Sequence, residues 1–523
     1  MDQIDVAITK GWDVTESALK ENSWEEFFEI AAGRKVYIYG VAEATAFLLH
    51  KADLRIDGIV DEDERKWGLW LHEFTDVEQP SVGDFKILAP FELPADHESF
   101  VVLIAGTRYY EKAAADLEKM GVKYFFAAVI CESKVRVHVD TDINEIEHSI
   151  TDEYVKHALE MPIEKHKIIF YTMGTYGGHG KYIAEQLQKL RDDIDYVWLV
   201  HDMKVEVPRG VRKVYMGYTR RVIEEMETAG MWVYDRMVPN YIQKRPGQIY
   251  VQTKHWASIT LKTFGADMKT FRKEQAGVSV VEHNGEMMDY LITGSEFDTR
   301  TVTKGYLFKG KCLELGSARS DALFHPQENK QKVCDYYGLN PEAHYLLYAP
   351  TFRCRSGSYY IPESKSDLDF AVVKKALESK YGGEWKIILR LHPTVCVQSK
   401  NIEKPPYVVD ASFYPDSQEL VAASDIMITD YSSLMFEPAF VQKPVFLFAT
   451  DKEDYISVER ELLIDYDTLP FPIAESNEEL YDKITGFDYE EYKKTVEAFL
   501  TGYGVHEDGH AGERAAAFIN TLI

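Results

Sequence analysis

The sequence is poor in cysteine and has no long apolar run. Five cysteines are scattered along 523 residues without a CxxC pair, and their number is odd. This spacing disfavours a zinc ribbon or a disulfide framework, and it predicts reduced thiols. No apolar stretch approaches the roughly 20 residues needed to span a bilayer, and the opening MDQIDVAITKGWDV lacks the basic leader and apolar segment of a signal peptide. We therefore expect a cytoplasmic chain.

Positively charged residues are outnumbered by acidic ones, 59 against 86. The formal net charge is −27, and residues 1–150, with 30 Asp/Glu and 15 Lys/Arg, carry −15 of it. A negative field of this kind disfavours nucleic acid and anionic lipid as partners. We expect no nucleic-acid partner, although the acidity can equally serve solubility alone.

Residues 34–130 show the alternation of a small nucleotide-binding fold. KVYIYGVAEATAFLLH predicts a strand, a glycine turn and a helix, IDGIVDEDE predicts a strand that ends at Asp61, and FVVLIAG predicts a third strand. The dinucleotide fingerprint is incomplete, because Gly40 is the only glycine of the turn and Glu43 lies where a pyrophosphate would approach. Residues 1–150 are therefore predicted to form an acidic Rossmann-like accessory domain with a connector, and NAD binding there is not expected.

Two longer strand–helix series follow the connector. The first comprises KIIFYT, DYVWLV, RKVYM, MWVYD, QIYVQT and DYLITGS, and the second HYLLYAP, WKIILRLHP, YVVD, DIMITD and PVFLFA. Such alternation implies parallel sheets. We predict an acceptor-side half at 151–335 and a nucleotide-donor half with C-terminal helices at 336–523. Ligands of open parallel sheets bind beyond the carboxyl ends of the strands, so the polar residues there are the candidates for a site.

Polar residues follow three predicted strands of the second series. The candidates are Thr351, Arg353, His392, Asp430, Ser432, Ser433 and Glu437. A helix is predicted to start at Ser432, and a helix N-terminus with hydroxyl donors can bind an anion. Each residue also has a structural explanation, such as a helix cap for Ser432, a turn for His392 and a surface ion pair for Arg353. Their occurrence at successive strand ends favours a nucleotide-diphosphate site.

YAPTFR, ILRLHP and ITDYSSLMFEPAFVQKPVFLF resemble motifs of the CDP-glycerol:poly(glycerophosphate) glycerophosphotransferase family. Its members polymerise the polyol-phosphate chains of bacterial teichoic acids and some capsules. The resemblance includes QIYVQTKHWASITLKTFGAD, which is similar to the family's QTWHGTPLKKLG, and it also includes DYLITGSEF, ELGSARSDALF and DYISVERELLIDYDTLP. It implies an α/β protein with a GT-B-like pair of doubly wound Rossmann-type domains that share a cleft, preceded by a smaller α/β domain.

The resemblance implies roles for residues of both halves. His255 would be the base that takes a proton from the acceptor hydroxyl, and the ordinary histidine pKa of about 6.5 suits that role. His392 would help to neutralise the diphosphate. The donor-binding residues would be Thr351, Arg353, Asp430, Ser432, Ser433, Glu437 and Arg460, and the acceptor side of the cleft would contain Lys262, Ser295, Arg319 and Asp321. The alternative for His255 is an ordinary buried histidine beside Trp256.

The implied reaction transfers a polyol phosphate, with glycerol phosphate as the first expectation, from a CDP-activated donor to a hydroxyl of a growing surface glycopolymer. CMP is released. The acceptor would be lipid-linked or oligomeric polysaccharide at the inner face of the membrane, with other polysaccharide-synthesis proteins as further partners. No cofactor or metal is expected. The pairs Asp367/Asp369 and Asp465/Asp467 are of a kind that an acidic chain produces by chance.

The chain also departs from the family pattern. Trp-Ala-Ser-Ile-Thr replaces Gly-Thr-Pro after His255, Ala318 replaces the proline before Arg319, and Glu461 replaces the glycine after Arg460. The acceptor half therefore matches less well than the donor half. Two other classes stay open: a GT-B glycosyltransferase that uses a nucleotide sugar, and a non-catalytic nucleotide-binding scaffold.

Overall fold

The structure is a computed structural model, and it describes residues 4–10, 23–49, 54–75, 84–105, 110–132, 151–268, 275–355, 358–361, 368–459 and 461–523. The chain divides into two compact units. The first comprises Met1–Ile163 and Val197–Thr228, and the second comprises Glu164–Tyr196 and Ala229–Ile523. The domain boundaries given above stay a prediction.

The first unit contains a six-stranded sheet with a Rossmann-like strand order. Its elements are β1 (Ile4–Lys10), α1 (Trp24–Ala31), β2 (Lys35–Tyr39), α2 (Glu43–Leu49), β3 (Gly58–Val60), β4 (Ile87–Leu88), β5 (Phe100–Ile104), α3 (Tyr110–Lys119) and β6 (Phe125–Glu132). The order is β1-β6-β5-β2-β3-β4, and only β1 is antiparallel to its neighbour. β5 is buried along its whole length, as expected for a strand inside a parallel sheet.

The glycine turn of this unit uses its amides internally. Gly40 has a φ of +101°, in the left-handed region that favours glycine. The amide of Val41 donates to Oδ2 of Asp61 at 2.8 Å, and the amide of Ala42 donates to Oγ1 of Thr45 at 3.1 Å. In a dinucleotide-binding turn, amides at this place would face a pyrophosphate. The expectation that this unit does not bind NAD stays a prediction.

The chain continues through the first long series. Its elements are β7 (Glu164–Tyr171), α4 (Gly178–Leu190), β8 (Asp195–Val200), β9 (Val211–Tyr215), α5 (Thr219–Thr228), β10 (Ala229–Tyr234), β11 (Ile249–Gln252), α6 (Gln275–Met287), β12 (Tyr290–Thr293), α7 (Glu296–Gly305) and β13 (Lys311–Glu314). In the second unit, five strands form a parallel sheet in the order β13-β12-β11-β10-β7. β7 and β10 are neighbours although four elements separate them in the chain, so the strand order changes direction between them.

The second sheet of this unit is also parallel. Its part of the chain comprises α8 (Pro326–Tyr337), β14 (His344–Ala349), β15 (Arg353–Arg355), β16 (Ser358–Tyr360), α9 (Phe370–Tyr381), β17 (Trp385–Leu389), β18 (Val408–Asp410), α10 (Ser417–Ala423), β19 (Ile426–Thr429), α11 (Phe436–Phe440), β20 (Val445–Phe448), α12 (Lys452–Asp454), β21 (Ile473–Ala474), α13 (Asn477–Thr485), α14 (Tyr489–Gly502) and α15 (Ala511–Asn520). The parallel order is β18-β17-β14-β19-β20-β21. The α/β, GT-B-like fold class is confirmed, and the switch point of this sheet lies between β14 and β19.

The last helix returns to the first half of the unit. α15 packs against α4, and the carboxylate of Asp321 accepts hydrogen bonds from the amides of Ala511 (3.0 Å) and Gly512 (2.7 Å) at its start. The predicted C-terminal helices are present as α13, α14 and α15. The last of them, α15, contacts α4 and Asp321 of the half at 151–335. Among the described helices, none is both long enough and apolar enough to cross a membrane.

Candidate functional site

Asp430 lies at the switch point between β14 and β19 and connects the residues that follow these two strands. This residue follows β19, is 5% exposed, and its Oδ1 accepts hydrogen bonds from the amides of Thr351 (2.8 Å) and Tyr431 (2.7 Å). Nη2 of Arg353 lies 3.2 Å from its Oδ2. Because Thr351 and Arg353 follow β14, the carboxylate ties together the two strand ends at which ligands of such sheets bind.

Arg353 is buried among carboxylates and tyrosine rings. Its Nε and Nη2 donate to the two oxygens of Asp451 at 2.9 and 3.0 Å, and it also pairs with Asp430. Its guanidinium lies 5.0 and 4.9 Å from the ring centres of Tyr431 and Tyr455, which stack on each other. The charge of Arg353 is therefore already compensated within the protein. Its contact with a diphosphate stays a prediction.

The two serines begin a short turn. Oγ of Ser432 accepts a hydrogen bond from the amide of Leu434 at 3.3 Å and caps a single 3-10 turn, Ser433–Met435, that precedes α11. Oγ of Ser433 accepts one from the amide of Leu261 at 3.0 Å. Both serines are partly exposed. A 3-10 turn therefore starts at Ser432, whereas the α-helix expected there begins only at Phe436 and is five residues long. Ser433 also binds the segment that follows His255.

Glu437 and Arg319 form an ion pair between the two halves. Glu437 is 1% exposed, its Oε1 lies 3.1 Å from Nη2 of Arg319, and its Oε2 accepts a hydrogen bond from Gln418 at 2.9 Å. Burial raises the pKa of Glu437, although Arg319 opposes the shift. Nη1 of Arg319 donates to the carbonyl of His255. The sequence predicted Arg319 on the acceptor side of the cleft and Glu437 on the donor side, and in the structure the two side chains form an ion pair.

His255 and His392 come from different halves, and His392 contributes to the electrostatic environment of His255. Burial lowers the pKa of His255 well below 6.5, and Arg236, Arg319 and His392 lower it further. Burial also lowers the pKa of His392 to about 3, with Arg236 and Lys262 adding to the effect. We call Arg236, His255 and His392 the histidine cluster. Both imidazoles are held neutral, so each has one ring nitrogen that accepts and one that donates.

Atomic contacts hold the two rings in place. Nδ1 of His392 accepts a hydrogen bond from the amide of Thr394 at 3.2 Å, and its ring lies 4.7 Å from that of Phe352. The ring of His255 meets Trp256 edge to face at 4.9 Å. Nδ1 of His255 is buried and has no hydrogen-bond partner within the part of the chain that the structure describes.

Sequence reasoning missed Asp235 and Arg236. They follow β10 directly, at the switch point between β7 and β10 in the sheet β13-β12-β11-β10-β7. Oδ1 of Asp235 accepts a hydrogen bond from the amide of Met173, after β7, at 3.2 Å, and burial raises the pKa of Asp235 to about 7. Arg236 is exposed, and its Nε lies 2.8 Å from Sδ of Met173. The strand end MWVYD was visible in the sequence, but the strand order that makes it a switch point was not.

The remaining candidates are spread more widely. Lys262 makes an isolated antiparallel bridge with Leu462, and its Nζ lies 5.5 Å from the ring centre of Tyr455. Ser295 is buried, caps α7 and donates to the carbonyl of Ser258 at 2.7 Å. Asp321 caps α15, as described above. Arg460 lies outside the described residues, as does Asp367.

Other acidic pairs have local structural uses. Asp369 accepts hydrogen bonds from the first amides of α9, and Asp465 accepts one from the amide of Asp467 at 3.1 Å. Over the described ranges, the structure contains no group of three or more His, Cys, Asp or Glu that could hold a metal ion.

Comparison with known proteins gives a consistent result. The model of the CDP-glycerol:poly(glycerophosphate) glycerophosphotransferase family matches residues 153–521. A teichoic acid poly(glycerol phosphate) polymerase of Staphylococcus epidermidis is 27% identical over 372 residues, which cover 68% of this chain and 50% of that protein. A teichoic acid ribitol-phosphate primase of Bacillus spizizenii is 29% identical over 297 residues, which cover 55% of this chain and 74% of that protein. The chain thus spans about half the length of the first relative.

A solved structure shares the fold. The wall teichoic acid polymerase TagF matches with a TM-score of 0.62 at 25% identity, over 72% of this chain and 95% of that chain. The family match begins at residue 153, so the sheet β1–β6 of the first unit lies outside it.

Proposed function

Because the chain belongs to the CDP-glycerol:poly(glycerophosphate) glycerophosphotransferase family, we propose that it transfers a polyol phosphate from a CDP-activated donor to a hydroxyl of a growing surface glycopolymer. Glycerol phosphate is the first choice of group, since the relatives include a poly(glycerol phosphate) polymerase. Ribitol phosphate is the second, since a ribitol-phosphate primase is also similar.

The proposed step is an in-line displacement at the phosphorus that carries the polyol. The acceptor oxygen forms a new bond to this phosphorus, the bond to the bridging oxygen breaks, and CMP leaves with the electron pair. His255 takes the proton of the hydroxyl. Reactions of this type depend mainly on positioning and on stabilisation of charge around the phosphoryl group.

The observation that carries the proposal is the histidine cluster. Arg236 and His255 come from one half and His392 from the other, and Arg236 lowers the pKa of both imidazoles. A base in this position is neutral in the free protein. A bound diphosphate adds negative charge, which opposes the effect of Arg236 and raises the pKa of His255 toward the range useful for proton transfer.

Arg236 is the arginine that we assign to the diphosphate. Arg353 and Arg319 are paired with buried carboxylates, whereas Arg236 is exposed at a switch point and contacts the sulfur of Met173. His392 and Lys262 add donors from two sides. Ser432 accepts one backbone hydrogen bond, which leaves its hydroxyl proton to donate to a phosphate oxygen.

We further propose that these side chains carry the phosphate charge without a divalent ion, and that the first unit works without NAD. Asp430 and Thr351 would shape the donor end of the cleft, and Glu437 would bind the ribose by exchanging one of its contacts with Arg319 and Gln418. The acceptor would be a lipid-linked or oligomeric chain, which brings the protein to the inner face of the membrane, where other polysaccharide-synthesis proteins are possible partners.

The decisive experiment is a donor screen with the full chain and a fragment of the host's surface polymer. CDP-glycerol, CDP-ribitol, CMP-sugars and UDP-sugars are compared by release of nucleotide and by the mass of the product. Release of CMP with addition of one or more polyol-phosphate units is expected. Turnover of a nucleotide sugar alone would make the chain a glycosyltransferase, and binding of CDP-glycerol in calorimetry without any turnover would make it a scaffold.

A further inference from the structure

The loop that carries His255 begins with an unusual backbone conformation. Lys254 has a φ of +54°, in the left-handed region that side chains with a Cβ rarely adopt. It is fully buried, and its amide donates to Oε1 of Gln252 at 2.7 Å. A buried lysine in this conformation persists only where its surroundings hold it.

The ammonium group of Lys254 has three protons, and the structure offers an acceptor for each. Nζ donates to the carbonyls of Trp256 at 3.1 Å and Ala257 at 2.9 Å, and it lies 3.0 Å from Oδ2 of Asp298. Asp298 is also fully buried, and its Oδ1 accepts a hydrogen bond from Nε1 of Trp256 at 3.2 Å. The ion pair thus closes a clamp on the two residues that follow His255.

Two further side chains complete the clamp. Nη1 of Arg319 donates to the carbonyl of His255, and Nε2 of His179 lies 2.9 Å from the carbonyl of Trp256. The carbonyls of residues 255, 256 and 257 are therefore all held by side chains, those of Arg319, His179 and Lys254. The backbone on the C-terminal side of the imidazole has little freedom to move.

We propose that Lys254 is a positioning residue that, together with Asp298, sets the orientation of the His255 imidazole. The inference rests on the proposed role of His255 as the base. It concerns a place where this chain departs from the family pattern, since Lys-His-Trp-Ala-Ser stands where the motif has Trp-His-Gly-Thr-Pro. The proline of the family motif would restrict the backbone here, and in this chain, which lacks it, the ion pair holds the loop.

The test compares stability with turnover. Lys254→Met removes the clamp and leaves Asp298 buried without its partner, so both kcat and stability should fall. A misplaced catalytic group costs about 10- to 100-fold in rate, and the KM for CDP-glycerol should change little. The double variant Lys254→Met/Asp298→Leu replaces the pair by apolar groups, which restores stability in many buried pairs. We expect its stability to recover while kcat stays low, and recovery of kcat together with stability would overturn the inference.

A matched control and a second readout complete the design. Lys443 is a half-buried lysine that also donates to backbone carbonyls, three of them, but at the end of α10. Lys443→Met should lose stability without a specific loss of kcat in the folded fraction. The rate at which diethyl pyrocarbonate modifies His255, followed by mass spectrometry, reports on the imidazole without any turnover.

This second readout separates the two proposals. If the wild-type chain turns over none of the donors, the proposed function fails and the modification rate alone decides the inference. A rate that changes in Lys254→Met and not in Lys443→Met supports the positioning role. Equal rates of modification in the wild type and Lys254→Met would overturn it.

Discussion

Arg319 and Glu437 form a buried ion pair, with 3.1 Å between Nη2 and Oε1, that connects the loop of His255 to the short helix after Ser432 and Ser433. Arg319 is 9% exposed and Glu437 1% exposed. The proposed base, His255, and the proposed donor-binding serines are therefore linked through two charged side chains of the protein.

Loss of one partner of this pair should strongly destabilise the second unit. Arg319→Met leaves Glu437 buried without a counter-charge, which costs about 3 to 5 kcal/mol in comparable buried pairs. Urea unfolding of the second unit measures the change. Lys493→Met is the control, because it removes a surface pair with Glu490, and such pairs contribute about 1 kcal/mol or less. Equal losses in the two variants would contradict the prediction.

Removal of the imidazole at position 255 should abolish most turnover. His255→Ala deletes the proposed base, and the expected decrease in kcat is about 10²- to 10⁴-fold. The KM for CDP-glycerol should stay near its wild-type value, because the base acts on the acceptor. His166→Ala is the control, since His166 is an exposed histidine paired with Asp193. A His255→Ala variant with wild-type kcat would rule out the base.

The pH profile of kcat/KM should extend unusually far into the acid range. The pKa of His255 is lowered in the free protein, so the neutral, active form persists below pH 6.5. An unperturbed histidine would lose about tenfold between pH 7.5 and 5.5, and we expect a clearly smaller loss. Arg236→Gln removes one of the charges that lower this pKa, so its acid limb should move to higher pH. A limb near pH 6.5 in the wild type would contradict the assignment.

Arg236 should matter for the donor. Arg236→Gln removes the exposed guanidinium from the histidine cluster. Loss of one contact that stabilises charge in the transition state can lower kcat by up to about 10²- to 10³-fold. Steady-state kinetics with CDP-glycerol measure it. Arg300→Gln is the matched control, because Arg300 is an exposed arginine near Phe297 on α7. Similar kinetics in the two variants would remove Arg236 from the site.

Turnover should survive removal of divalent ions. Arg236, His392 and Lys262 offer cationic or hydrogen-bonding groups to the phosphates, so a chelator should reduce kcat less than twofold. CMP release is measured after dialysis against EDTA, with and without added Mg²⁺. A large loss that Mg²⁺ restores would show that a metal ion supplies part of the charge.

Much of the fold followed from local pattern. The strands that precede Thr351, His392 and Asp430 were visible as apolar runs between turn residues, because strand formation depends on short-range alternation and burial. The cap at Ser432 was equally local, since a hydroxyl binds an amide two residues away. The altered stretch after His255 was also evident in the sequence, but its clamp by Lys254 and Asp298 was not.

The sequence by itself determined the element types, the polar strand ends and the family to which the chain belongs, because these depend on residues close together in the chain. Only the tertiary structure decided the partners of Arg319, Arg353 and Lys254. Long charged side chains find their counter-charges wherever packing removes water, and that is set by the order of strands in the sheets. For the same reason Arg236 became a candidate only when β7 and β10 were found side by side.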